Sequence, residues 1–208
     1  MSGVHRWQGL QRRIGLTGGI ASGKSSVGRF LEQQGIAVLD ADLYAHEALA
    51  PGTPATRAVL ERYGAKVQSE LSEGLDRAAI GSIVFSDPQE RTWLEAQLHP
   101  LVQQRFDQEL QTHVGERVVA LMIPLLFEAG LESLCSEVWV VHCSPTQQRQ
   151  RLMTRNRLSP EEAEQRIRAQ WPMDRKTELA DCVIKNEGMP LSWTSQVREL
   201  LNATPPLD

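Results

Sequence analysis

Ile14-Gly15-Leu16-Thr17-Gly18-Gly19-Ile20-Ala21-Ser22-Gly23-Lys24-Ser25-Ser26 is the stretch that decides how the rest of the chain is read. Gly18, four intervening residues and then Gly23-Lys24-Ser25 give the spacing of a phosphate-binding P-loop. Glycines open backbone conformations closed to other residues, so consecutive N–H groups of Gly18 through Ser26 can turn inward onto phosphate oxygens. A helix starting there adds the positive end of its dipole. Lys24 is placed to reach the β/γ-phosphates of a nucleotide, and the Ser25 hydroxyl to hold Mg²⁺.

The flanks agree with the loop. Residues 13–17 are a short apolar run, as a buried strand requires, and Lys24–Gln34 carries Val27, Phe30 and Leu31 at one-face helical spacing before a stop at Gly35. Four more runs read as strands: 36–39, 117–123, 138–143 and 181–185. Helical patterns separate them, which predicts an α/β fold with a parallel sheet and crossover connections. Residues 54 to 116 lack a buried strand and read as helical, with His99-Pro100 inside or between helices. Ser144-Pro145 and Ser159-Pro160-Glu161-Glu162 each carry a capping residue followed by proline, two helix starts in an arginine-rich stretch.

Composition limits the function classes. With 208 residues, a hydrophobic fraction of 41% and a charged fraction of 23%, the chain is ordinary for one globular domain with a sizeable core. The net charge of −4 argues against a nucleic-acid partner, so an anionic ligand must be met by local arginine and lysine. Cys135, Cys143 and Cys182 are odd in number and lack C-x-x-C spacing, which disfavours a disulfide framework or zinc site. No apolar run reaches the roughly 18 residues of a membrane span, and Met1–Gln11 carries no secretory h-region. A cytoplasmic protein, monomeric or weakly self-associating, is the expectation.

Two groups of side chains could carry chemistry. Asp40 and Asp42, two apart at the end of the second strand, would share one face if the backbone stays extended. One could take a proton from an attacking hydroxyl and the other order water or Mg²⁺; the alternative is an Asp that caps the next helix. Arg149, Arg151, Arg155 and Arg157 fall within nine positions, with Arg151 and Arg155 on one helix face. A lid bearing guanidinium groups would stabilise charge on a transferred phosphoryl group and exclude water. No Asp ends the 117–123 run as in a Walker B strand, and neither the Asn-Lys-x-Asp pattern of GTPases nor Gly-x-Gly-x-x-Gly follows. This set favours small-molecule phosphoryl transfer over a switch or motor.

Taken together, Gly15-Leu16-Thr17-Gly18-Gly19-Ile20 through Lys24-Ser25, Leu39-Asp40-Ala41-Asp42, Leu98-His99-Pro100-Leu101, Pro124-Leu125-Leu126-Phe127-Glu128 and Ala180-Asp181-Cys182-Val183-Ile184-Lys185-Asn186-Glu187-Gly188 closely resemble the dephospho-CoA kinases. The resemblance implies a P-loop NTPase-type three-layer fold with a five-stranded parallel sheet. Its core would be about 12–48, 117–144 and 179–208, with a helical CoA-binding insertion at about 49–116 and a lid at about 145–178. It implies transfer of the γ-phosphoryl of ATP to the 3′-hydroxyl of dephospho-CoA, the last step of coenzyme A synthesis. Asp42 matches the base; Lys24 with Arg151 or Arg155 would meet the phosphate oxygens, and Mg²⁺ would sit on Ser25. Asp40, His99, Leu125 and Glu128 fall on the acceptor side, and Asn186 and Gly188 match the turn near adenine. Ala21 departs from the family's usual glycine there; alanine fits if that residue keeps a negative φ. The competing readings are another small-molecule or nucleoside kinase, or a nucleotide-sensing module.

Overall fold

The computed structural model describes residues 6–69, 74–188 and 191–203. The chain divides into two compact units, one formed by Met1–Leu39 with Gly115–Asp208 and the other by Asp40–Val114.

The first unit is built on β1 (Arg12–Gly18), β2 (Ala37–Asp40), β3 (Val118–Met122), β4 (Glu137–His142) and β5 (Cys182–Lys185), in the order β2-β3-β1-β4-β5. This is the expected five-stranded parallel sheet, each strand within two residues of its predicted limits. Ile14 pairs with Ala120 on one side and Glu137 on the other, and Trp139 with Cys182. Strands covered on both faces must be apolar throughout, and Ile14, Leu16, Val119, Ala120, Leu121, Val138, Trp139, Val140 and Val141 are fully buried.

Helices α1 (Lys24–Gln33) and, at the chain's end, Thr194–Asn202 cover the sheet. Val27, Phe30 and Leu31 of α1 enter the same core as Trp193 and Val197, and the Phe30 and Trp193 rings meet edge to face at 5.6 Å. At Gly28 a Cβ would stand 3.1 Å from Met122 Sδ, so α1 lies close on the sheet because that residue has no side chain. Gly35, at φ 79°, ends the helix as predicted.

The second unit is helical: α2 (Ala41–Ala48), α3 (Pro54–Tyr63), α4 (Arg77–Ser86) and α5 (Pro88–Thr112). Thr53, Asp76 and Asp87 cap α3, α4 and α5 through their side chains. Val59, Val67 and Ile80 form its core, and Tyr44 meets Phe106 edge to face at 5.0 Å. Helix α5 runs straight through Pro100 in sequence as one 25-residue element. Proline removes one intrahelical bond; burial of Val102, Phe106 and Leu110 beyond it keeps the helix going.

The stretch expected as a lid belongs to the first unit. It comprises α6 (Pro145–Asn156), α7 (Pro160–Arg168) and α8 (Met173–Glu178). Ser144 caps α6, and Ser159 with Glu162 forms a capping box on α7. Helix α7 ends at Arg168, and α8 begins five residues later, after Trp171-Pro172. We number the closing helix Thr194–Asn202 α9; Leu191, at φ 65°, lies outside it.

Candidate active site

Residues 18–23 join β1 to α1 through a loop whose shape depends on missing side chains. At Gly18, φ 145°, a Cβ would overlap the Val141 carbonyl oxygen; at Gly23, φ 105°, it would overlap Asn186 Nδ2. Those two glycines are the first and second of the motif, so the pattern reports a steric requirement. Ala21 sits at φ 58°. The condition set for alanine there, a negative φ, is not met, and the loop carries strain at that residue.

Three side chains hold the loop's carbonyls. Lys24 Nζ donates to Gly18 O at 2.8 Å and Gly19 O at 2.9 Å. Asn186 Nδ2 donates to Ser22 O at 2.8 Å. Arg151 spans both, Nη1 to Ser22 O at 3.4 Å and Nη2 to Asn186 O at 3.0 Å. Two cations thus converge on a loop built to present N–H groups, the arrangement a polyphosphate needs. Ser22 Oγ is buried without a hydrogen-bond partner. Nearby, burial pushes the Cys143 thiol up while the charges of Arg151 and Lys24 pull it down, so it stays protonated at neutral pH.

The loop's outer amides are capped from the segment between α7 and α8. Gly19 N–H donates to Met173 Sδ at 3.0 Å and Ile20 N–H to Gln170 Oε1 at 2.8 Å. Behind them, Glu128 Oε1 accepts the Trp171 N–H at 3.0 Å and meets Lys176 Nζ at 2.7 Å. Lys176, wholly buried, also donates to Pro124 O at 3.3 Å, a carbonyl that accepts Thr17 Oγ1 at 3.1 Å. Glu128 Oε2 is buried with no partner, and Leu125 is half-buried in the same turn.

The structure thus brings together Lys24, Arg151, Asn186 and Glu128 with residues 18–26, and it separates Arg155. That side chain is exposed and donates to its neighbour Asn156 Oδ1 at 2.9 Å. Gly188 follows in the turn after Asn186 and is exposed. Ser25 is exposed in the first turn of α1, where glycine as the capping residue leaves no side-chain bond in the way. One hydroxyl oxygen plus phosphate oxygens is a donor set that suits Mg²⁺, a hard cation that keeps few protein ligands.

In the second unit, Asp40 is the last residue of β2 and the cap of α2, its Oδ1 accepting Asp42 N–H at 2.9 Å. Their spacing predicted one shared strand face; the structure does not keep it, because α2 begins between them at Ala41. Asp42 is exposed in its first turn, and His99 is exposed on α5.

Gln170, Met173 and Lys176 escaped sequence reading. They lie around a six-residue helix too short for a periodic signal, and a lysine beside an arginine reads as solvated surface.

Known proteins give the same answer. A family model described as dephospho-CoA kinase matches residues 12–191. A dephospho-CoA kinase of Synechococcus sp. (strain CC9605) is 62% identical over 195 residues, 94% of each chain. The crystal structure of TT1252 from Thermus thermophilus superposes with a TM-score of 0.76 at 34% identity, covering 93% of this chain and 97% of that one. Dephospho-CoA kinase from Campylobacter jejuni follows at 0.66 and 26%, covering 91% and 94%. With the loop, its cations and these likenesses agreeing, the chain belongs to the dephospho-CoA kinase family.

Proposed function

We propose that the chain moves the γ-phosphoryl group of ATP to the 3′-hydroxyl of dephospho-CoA, giving CoA and ADP, with the residues named above in the following roles. The observation that carries the phosphate half is the convergence of Lys24 and Arg151 on a loop whose two key glycines admit no side chain. The acceptor's identity rests on family membership.

The transferring group needs little covalent help, so the protein's work is positioning and charge neutralisation. The N–H groups of residues 18–26 cradle the phosphates, and Lys24 and Arg151 follow the charge that develops on the γ-oxygens. Ser25 is the side chain that would hold Mg²⁺, which when bound neutralises phosphate oxygens. Asp42 orients the 3′-hydroxyl and takes its proton as the O–Pγ bond forms and the bond to the β-phosphate oxygen breaks. Asp40, His99, Leu125 and Glu128 serve the acceptor, and Asn186 and Gly188 the adenine end.

Release of ADP, measured with dephospho-CoA against nucleosides, shikimate and gluconate, tests the reading. Turnover with dephospho-CoA alone, with CoA as product, is expected. ADP release with another acceptor only, or none with any, overturns it.

A further inference from the structure

β4 and β5 are parallel neighbours that end at the same edge of the sheet, with His142 beside Lys185 in register. That edge also carries the phosphate loop, and the chain leaving β5 folds back onto it. Asn186 N–H donates to His142 O at 2.8 Å, and Asn186 Nδ2 donates to Ser22 O at 2.8 Å. The next residue, Glu187, is held at both ends. Its carbonyl accepts Gln147 Nε2, from the first turn of α6, at 2.8 Å. Its carboxylate Oε1 meets His142 Nδ1 at 2.8 Å. An ionised carboxylate can only accept, so Nδ1 carries the hydrogen.

Both partners of that last contact are partly exposed, their side chains 24% and 46% open to solvent. A pair in that setting adds little to global stability. Its effect is local. Residues 186–188 lie outside any helix or strand, and the contact stops Glu187 from swinging about its bond to Gln147. Asn186, next to it, is thereby kept on the Ser22 carbonyl of the phosphate loop. Ordering a binding segment before its ligand arrives removes a cost that would otherwise be subtracted from affinity.

We infer that His142 and Glu187 are a positioning pair for the nucleotide. They preorganise the 186–188 turn and strengthen ATP binding, acting through Asn186 and not on the reacting atoms. This deepens the proposed function and rests on its placing of Asn186 and Gly188 at the adenine end.

Calorimetric titration of the full chain with ATP, beside steady-state kinetics, tests the pair. His142→Ala and Glu187→Ala are each expected to weaken ATP binding and raise KM for ATP about 3–10-fold, the scale of ordering lost at one binding residue. The values of kcat and of KM for dephospho-CoA are expected to stay within roughly twofold, because positions away from the reacting atoms leave the chemical step alone. Thermal midpoints close to the wild type are expected, which also reports that the variants are folded. The double variant is expected to be no worse than either single one, as two residues acting through one contact require. His142→Asn keeps an N–H donor and Glu187→Gln keeps an acceptor oxygen, so both are expected to restore most of the affinity. Unchanged ATP affinity in the alanine variants, losses that multiply in the double variant, a fall in kcat in place of affinity, or no rescue by His142→Asn overturns the inference. Wild-type protein that binds ATP yet leaves dephospho-CoA unphosphorylated would instead overturn the kinase reading, and the calorimetry would still decide the pair.

Discussion

Lys176 and Glu128 form an ion pair, Nζ to Oε1 at 2.7 Å, with the lysine side chain wholly shielded from solvent and the carboxylate 15% exposed. The pair ties α8 to the turn after β3. Its energetic meaning is asymmetric, because a lone buried charge is far more costly than a matched pair. Glu128→Ala is expected to lower stability by about 3–5 kcal/mol. Adding Lys176→Met in the same chain is expected to restore most of that loss. Chemical denaturation of the single and double variants checks both statements, and equal stability of the two would refute the account.

Arg151 and Arg155 look equivalent in sequence, one turn apart on α6. Only Arg151 reaches the Ser22 carbonyl and Asn186. Arg151→Ala is expected to lower kcat/KM for ATP by about 10²-fold, the scale of a lost oxyanion donor. Arg155→Ala is expected to change it by roughly twofold, the scale of a surface substitution. Steady-state kinetics with varied ATP separates them.

Lys24→Ala and Asp42→Asn are expected to reduce kcat by at least ~10²-fold, through lost electrostatic stabilisation and lost proton acceptance respectively. Both should leave the thermal midpoint near that of the wild type. Near-normal turnover of Asp42→Asn would remove it as base.

Ala21, at φ 58° in the loop, is a left-handed residue with a β-carbon. That conformation costs roughly 1–2 kcal/mol in a non-glycine residue, while glycine loosens the unfolded chain by about 0.4–1 kcal/mol. Ala21→Gly is therefore expected to stabilise the protein by about 0.5–1 kcal/mol net, measurable by urea denaturation. A destabilised variant would contradict the strain.

Glu90 receives Arg62 Nε at 2.6 Å, Arg62 Nη2 at 2.8 Å and Tyr63 OH at 2.7 Å. The hydrogen bond from Arg62, then that from Tyr63, holds its carboxyl down at about 2, against an ordinary 4.5. A depressed folded pKa gives stability that is present above the ordinary value and is lost as pH falls through the folded one. Wild type should therefore exceed Glu90→Gln in stability above pH 4.5, with the gap closing toward pH 2. Denaturation midpoints across that window are the check.

Much of this molecule was legible because two periodic signals and one spacing rule carry it. Apolar runs such as Val118–Met122 can only be strands buried on both faces, and Gly18 with Gly23 marks contacts no other residue allows. Local pattern failed where the outcome depended on tertiary neighbours. Asp40 and Asp42 looked like one strand face until the helix began at Ala41. Ala21 took a φ that only the whole loop could impose. Lys176 carries an unremarkable surface letter, and its burial follows from a carboxylate 48 positions earlier in the chain.

β1 lies in the middle of the sheet, with β3 on one flank and β4 on the other. It is synthesised first, yet Ile14 must wait about a hundred residues for Ala120 and longer for Glu137. The phosphate loop hangs on that strand's end, so a nascent chain emerging from the ribosome has no working cradle until most of its length has been made. Assembly is governed by distant partners, a slow class of folding reaction in which early collapse leaves the central apolar strand unpaired. The piece most needed for nucleotide capture is thus among the last to be locked in place.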